Sequence, residues 1–148
     1  MDGFLIRITK MNAIIGSVCT FAASALAFLF GLIYLTRPKF MNYHRIAVEK
    51  EWEELPVKMQ TLITALMRAL SSGFLAVPYV LAMMQIAFMR NHHHWIALTI
   101  LITGSILFLG SMYAMLLIMT KTKGRPPVPI VAIIFAMLVA GYFFNIYS

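Results

Sequence analysis

Four apolar runs, at residues 13–35, 69–88, 95–119 and 128–146, decide what this chain can become. Each holds at least 19 residues, and about 20 helical residues cross a hydrocarbon layer about 30 Å thick. Closed barrels are the other structure that spans a bilayer, but their strands alternate apolar and polar positions, and these runs do not. Composition agrees: 61% of the 148 residues are hydrophobic, 11% are charged and the mean hydropathy is +0.86, too apolar for an ordinary water-soluble domain. The expected fold is all-α: one membrane domain over residues 1–148, built as a four-helix transmembrane bundle.

The first run follows Arg7 and Lys10 and contains "ASALA" at residues 23–27, which resembles a signal-peptidase site. The run continues through "FLFGLIYL" to Leu35, longer than a signal h-region, so a retained first helix is expected. The single cysteine, Cys19, lies inside that run and excludes an intrachain disulfide and thiol-pair redox chemistry.

Charge placement predicts orientation. The first loop carries Arg37, Lys39, Arg45, Lys50 and Lys58, and the third carries Lys121, Lys123 and Arg125, against Arg7, Lys10 and Arg90 on the other side. Eight against three places loops one and three in the cytoplasm and both termini outside, as in a multi-pass protein of a cell inner membrane. The basic loops are a topology and anionic-lipid signal rather than one for nucleic acid. Trp52, Trp95, Tyr142 and Tyr147 suit the two interfacial belts.

The first loop is the long one. Its "NYHRIAVEKEWEEL", residues 42–55, opens on Asn42 as an N-cap candidate, and Val48, Trp52, Leu55 and Met59 recur at helical spacing. An interfacial amphipathic helix on the cytoplasmic surface is predicted, after which Pro56 starts helix two, with Glu53 and Glu54 facing its positive dipole end.

Helix two, read over residues 56–89, is roughly 51 Å long at 1.5 Å per residue. The charge-free window 69–88 fits the hydrocarbon and leaves Arg68 at its cytoplasmic edge, where the guanidinium can snorkel to water. Gln60, Thr64, Arg68 and Ser72 fall on one helix face, flanked by Thr61 and Ser71. That polar stripe is expected to face the bundle interior or a cytoplasmic cleft, with His44, Trp52 and Glu53 at the rim. Three roles stay open for Arg68: pairing with Glu49, Glu51, Glu53, Glu54 or a lipid phosphate; recognition of an anionic substrate or headgroup; and direct catalysis, for which spacing supplies no nucleophile or base.

Small residues recur along every span: Gly16, Thr20, Ala23, Ala27 and Gly31; Ala65, Ala69, Ser72 and Ala76; Ala97, Gly104 and Ser111; Ala132, Ala136 and Ala140. Such faces let helices approach closely in lipid and predict a tight bundle, with a homo-oligomer or a membrane-protein partner as a further use. His92, His93 and His94 cannot share a helix face, which favours a polar hairpin turn over a metal or pH-sensing role, and neither metal nor cofactor is expected. Pro78 is expected to kink helix two.

The segments "RPKFMNYHR", "WEELPVKMQTLITALMRALSSGFLA" and "KTKGRPP" resemble a family of small bacterial four-helix membrane proteins. The resemblance rests on Tyr43 and His44, on Trp52 and Gln60, and on Leu66, Met67, Arg68 and Gly73, and it implies no activity. The size and inferred orientation are also similar to the membrane-associated eicosanoid and glutathione enzymes (MAPEG), but "HRIAVEKEWEELP" has no asparagine where that family carries one. Small multidrug exporters use an intramembrane glutamate, and no acidic residue lies in any of the four runs. The leading expectation is a non-enzymatic accessory, assembly or lipid-interacting membrane protein. A small membrane enzyme for a lipophilic anionic substrate comes second and a transporter third.

Overall fold

The structure, a computed structural model, describes residues 2–148. Five α-helices follow one another: α1 (Asp2–Thr36), α2 (Asn42–Val48), α3 (Val57–Asn91), α4 (His94–Lys121) and α5 (Val128–Ile146), with a 3₁₀ turn at Trp52–Glu54. All but α2 are long and apolar enough to cross a membrane. The protein is an all-α, multi-pass four-helix bundle. Neighbours in the bundle are α1 with α3, α3 with α4, α4 with α5 and α5 with α1, an up-and-down ring closed by its first and last spans.

The packing grows from heptad spacing. Buried positions on α3 are Met67, Ser71, Phe74, Pro78, Leu81, Gln85 and Phe88, and on α5 Val131, Ile134, Leu138, Gly141 and Asn145. Alternating steps of three and four keep one seam facing inward along the whole helix. Against these seams α1 sets the predicted small face, with Gly16, Thr20, Ala23, Ala27 and Gly31 all buried. A methyl group on Gly16 would lie 2.9 Å from the Asn145 backbone nitrogen, and one on Gly31 would lie 2.9 Å from the Phe74 carbonyl. Phe74 precedes Pro78 by four residues, and proline has no N–H to return to that carbonyl. Gly31 therefore lets α1 close over a carbonyl that receives no N–H from Pro78, and α3 runs unbroken through Pro78.

Not every small face points inward. Ala97 and Gly104 of α4 are buried as expected, but Ala65, Ala69, Ser72 and Ala76 of α3 are exposed, as are Ala132 and Ala136 of α5. The reason is complementarity: α1 supplies glycine and alanine, so its partners turn their large side chains toward it.

At the end away from the basic loops, α1, α3 and α5 are tied by amides. Gln85 Nε2 donates to Ser17 Oγ at 3.1 Å, and Asn145 Nδ2 donates to Gln85 Oε1 at 3.0 Å, all three side chains being buried. Interhelical hydrogen bonds of this kind average about 0.6 kcal/mol in membranes, modest individually but specific for register. The turn there is short. His92 in the left-handed region, φ 50°, ends α3, and His94 opens α4, so the three histidines are exposed around a turn.

The first loop departs from its predicted form. In place of one surface helix over residues 42–55, α2 stops at Val48, Glu49 takes a left-handed conformation at φ 54°, and the chain re-forms as the short turn. A longer helix would stack Glu49, Glu51, Glu53 and Glu54 at its negative C-terminal end, which the helix dipole opposes. Three ion pairs fold the segment back instead: Lys39 with Glu53, Arg45 with Glu51 at 3.2 Å, and Lys123 with Glu49 at 2.7 Å. The predicted cap is corrected too. Met41 is the N-cap and Asn42 the first helical residue.

Candidate functional site

Arg68 sits on α3 beside the last turn of α1, and its guanidinium donates to the carbonyls of Tyr34 at 3.4 Å and Arg37 at 3.3 Å. The final carbonyls of a helix have no partners of their own and carry its negative dipole end. A cation from a neighbouring helix answers both needs. The expected pairing with a loop glutamate is not what forms, because Glu49, Glu51 and Glu53 are bound to Lys123, Arg45 and Lys39, while the Glu54 carboxylate accepts the Glu51 N–H at 3.1 Å.

The predicted stripe divides by function. Gln60 Nε2 donates to the carbonyls of Trp52 at 2.9 Å and Leu55 at 3.0 Å, fastening the first loop to the start of α3. Thr64 is half-buried. Ser71 is buried and donates to the Arg68 carbonyl at 2.7 Å. Ser72 is exposed and bonds back to Ala69 at 2.7 Å, so the interior placement expected for it is corrected. Met67, Ser71 and Phe74 take the inward positions, since a seam of bulky side chains against the glycines of α1 outweighs one hydroxyl. Trp52 is half-buried with its ring centroid 5.1 Å from that of Phe40, and Glu53 is on the surface.

One face further round α3 the bundle opens. Beyond the Phe74–Phe108 contact, at 6.4 Å between ring centroids, α3 and α4 are separated by a cavity of about 390 Å³. Its walls are Ile63, Leu66, Met67 and Leu70 of α3 with Ser111, Ala114, Met115 and Ile118 of α4. Its back is Phe30 and Tyr34 of α1, and α2 roofs it with Tyr43, His44, Ala47 and Val48. That volume lies within the range of small-molecule sites, about 300–1,000 Å³. Leu66, Leu70 and Ala114 are also exposed on the outer surface, so the cavity opens sideways toward the lipid.

Of its few polar side chains, Ser111 is bonded back to Leu107 at 2.7 Å, and Tyr34, Tyr43 and His44 collect under the roof. The hydroxyls of Tyr34 and Tyr43 bond to each other, and the His44 ring lies edge-on to Tyr34 at 6.5 Å. The Met41 N–H donates to His44 Nδ1 at 3.3 Å, so neutral His44 carries its proton on Nε2 and is a donor there. Burial pushes the Tyr43 hydroxyl up and the His44 imidazole below its ordinary value of about 6.5. The roof is held from outside as well. A hydrogen bond from Lys123 holds the Glu49 carboxyl down and raises Lys123 in turn, and Gly124 packs so closely that a methyl group there would meet the Tyr43 carbonyl at 2.8 Å.

Sequence reasoning named His44 and Tyr43 but not Tyr34, whose signal is its place three residues beyond Gly31 on the buried face of α1. Among the described residues, no polar path continues from this site along the bundle. Tyr79 is exposed, Gln85 is closed within its own hydrogen bonds, and Phe74, Pro78 and Leu81 lie between Arg68 and Gln85 on the buried face of α3.

The roof should respond to acid. Docked His44 binds its proton less readily than undocked His44, so docking is fully supported above about pH 6.5 and weakens as pH falls through the lowered value. The side chains packed against the imidazole are the rings of Tyr34, Tyr43 and Phe40, which carry no charge in this range. In Trp95→Phe protein, Trp52 emission should change reversibly between pH 7.5 and pH 5, about a pH unit to either side of the ordinary histidine value, and His44→Phe should flatten the profile. A profile unchanged by that substitution rejects the role of His44.

No protein-family model, curated protein or solved structure matches this chain.

Proposed function

We propose that this protein is a non-enzymatic, lipid-interacting component of a cell inner membrane that holds the tail of one lipophilic molecule between α3 and α4, with α2 as its lid. The observation that carries this reading is the side-opening apolar cavity of about 390 Å³ with Tyr34, Tyr43 and His44 together at the end that α2 covers. A bilayer lipid tail is as apolar as leucine, so the cavity gains little from the hydrophobic effect. Filling it restores dispersion contacts, and selectivity comes from the polar end, where His44 Nε2 and the tyrosine hydroxyls meet an oxygen of the ligand. The excess of lysine and arginine in the first and third loops supports a cytoplasmic position for that end.

The membrane-enzyme reading gains one point from the same cluster, a neutral histidine beside two phenols. It loses more, because Nδ1 is occupied and Nε2 is protonated, leaving His44 a donor rather than a base. Native mass spectrometry after gentle detergent extraction tests the proposal: one acyl-chain lipid should stay with each chain, and a protein that emerges bare under conditions preserving its fold contradicts it.

A further inference from the structure

A second concavity lies on the other side of α2. It has a volume of about 330 Å³ and is bounded by Arg37 after α1, Asn42 and Tyr43 of α2, and Arg125 and Pro127 before α5. We propose that this cleft binds a phosphate group, presented by the headgroup of an anionic lipid.

Electrostatics carries the argument. Each first-loop glutamate is engaged elsewhere, by Lys123, Arg45, Lys39 or the Glu51 N–H. Arg37 and Arg125 thus have no carboxylate partner among the described residues, and no acidic side chain lines their cleft. Two arginines lining one concavity give it a positive potential that an anion lowers. Arginine also offers a planar fork of donors that fits phosphate oxygens in pairs, which the ammonium of lysine cannot reproduce. Two further groups favour an anion. Asn42 adds an amide, and Pro127 is the N-cap of α5, whose positive dipole end therefore reaches the cleft. The level is right as well, since Arg37 follows directly on the last residue of α1, where headgroups lie.

This site is separate from the apolar cavity, although Tyr43 borders both. Their failures can be told apart, because Ala114→Trp alters only the cavity.

The experiment titrates the full-length protein in detergent with short-chain phosphatidic acid, with phosphatidylcholine of equal chain length and with inorganic phosphate, read by native mass spectrometry. Phosphatidic acid should bind roughly tenfold more tightly than phosphatidylcholine, and Arg37→Lys/Arg125→Lys should lose about that factor while keeping every charge. Lys58→Gln/Lys121→Gln removes two unpaired charges at the same end and should bind as wild type. Inorganic phosphate that competes with the same arginine dependence supports the site and points to a soluble phosphate compound as its source. Equal binding by the double-lysine variant, an equal loss in the double-glutamine variant, or no preference for phosphatidic acid overturns the proposal.

Discussion

Ala114→Trp should strip the retained lipid from the protein without unfolding it. Ala114 lies on α4 where the cavity meets the surface, so an indole placed there occupies space that no side chain now fills. Enlarging a residue in a packed core costs about 1–3 kcal/mol because neighbours must move, but here the neighbouring space is open, and stability should change little. Lipid occupancy should fall at least about tenfold, the equivalent of about 1.4 kcal/mol of lost contact. The matched control is Ala132→Trp on α5, exposed and away from the cavity, which should keep its lipid. Equal loss in both variants would mean that retention reflects annular lipid rather than a site.

The second large effect concerns the backbone. Gly31→Val should lower stability by about 3 kcal/mol, the upper part of the overpacking range, because its Cβ would sit 2.9 Å from the carbonyl carbon and oxygen of Phe74, which are main-chain atoms that cannot swing aside. The same change pushes α1 away from the carbonyl that receives no N–H from Pro78, a second cost in a medium without water. Gly73 and Gly110 make the contrast, since a methyl group at either meets nothing within 4 Å. Alanine there should be neutral or stabilising by up to about 1 kcal/mol, as for exposed helical glycines. Thermal unfolding in one detergent, read by circular dichroism, ranks the three; a Gly31→Val protein as stable as the Gly73→Ala protein would refute the close-approach account of α1 and α3.

These contrasts show what the residues alone disclosed. The buried face of α1 was legible because glycine, threonine and alanine at steps of three and four leave few other uses in lipid. The similar rows on α3 and α5 were misleading, since a small residue is tolerated on either face and only the partner decides. Arg68 lies beside the last turn of α1, but the carbonyls it caps have no signature in the sequence, whereas the glutamates it was expected to meet do. Gln85 and Asn145 stand 60 positions apart, and nothing local announces that they meet. The cavity had the least signal of all. It exists because α2 ends at Val48 and lies over the gap between α3 and α4, with left-handed Glu49 and three surface ion pairs turning the chain beyond it.

On the proposed reading, the lid makes lipid binding conditional. A helix of seven residues has little stability of its own, so α2 stays docked through Tyr43, His44 and the Lys123–Glu49 pair at its edge. Entry from the side needs no movement of the spans, while release of a polar headgroup toward water needs the lid to shift.

The most direct measurement is photolabelling with a fatty acid bearing a diazirine near the end of its chain, added to the protein in lipid nanodiscs and mapped by peptide mass spectrometry. Labels should concentrate on residues 63–70 of α3 and 111–118 of α4 and fall away in the Ala114→Trp variant. Labels spread evenly over outward residues such as Ile102, Ile106, Ile130 and Ile133, unchanged by that substitution, would show that no lipid is held between α3 and α4.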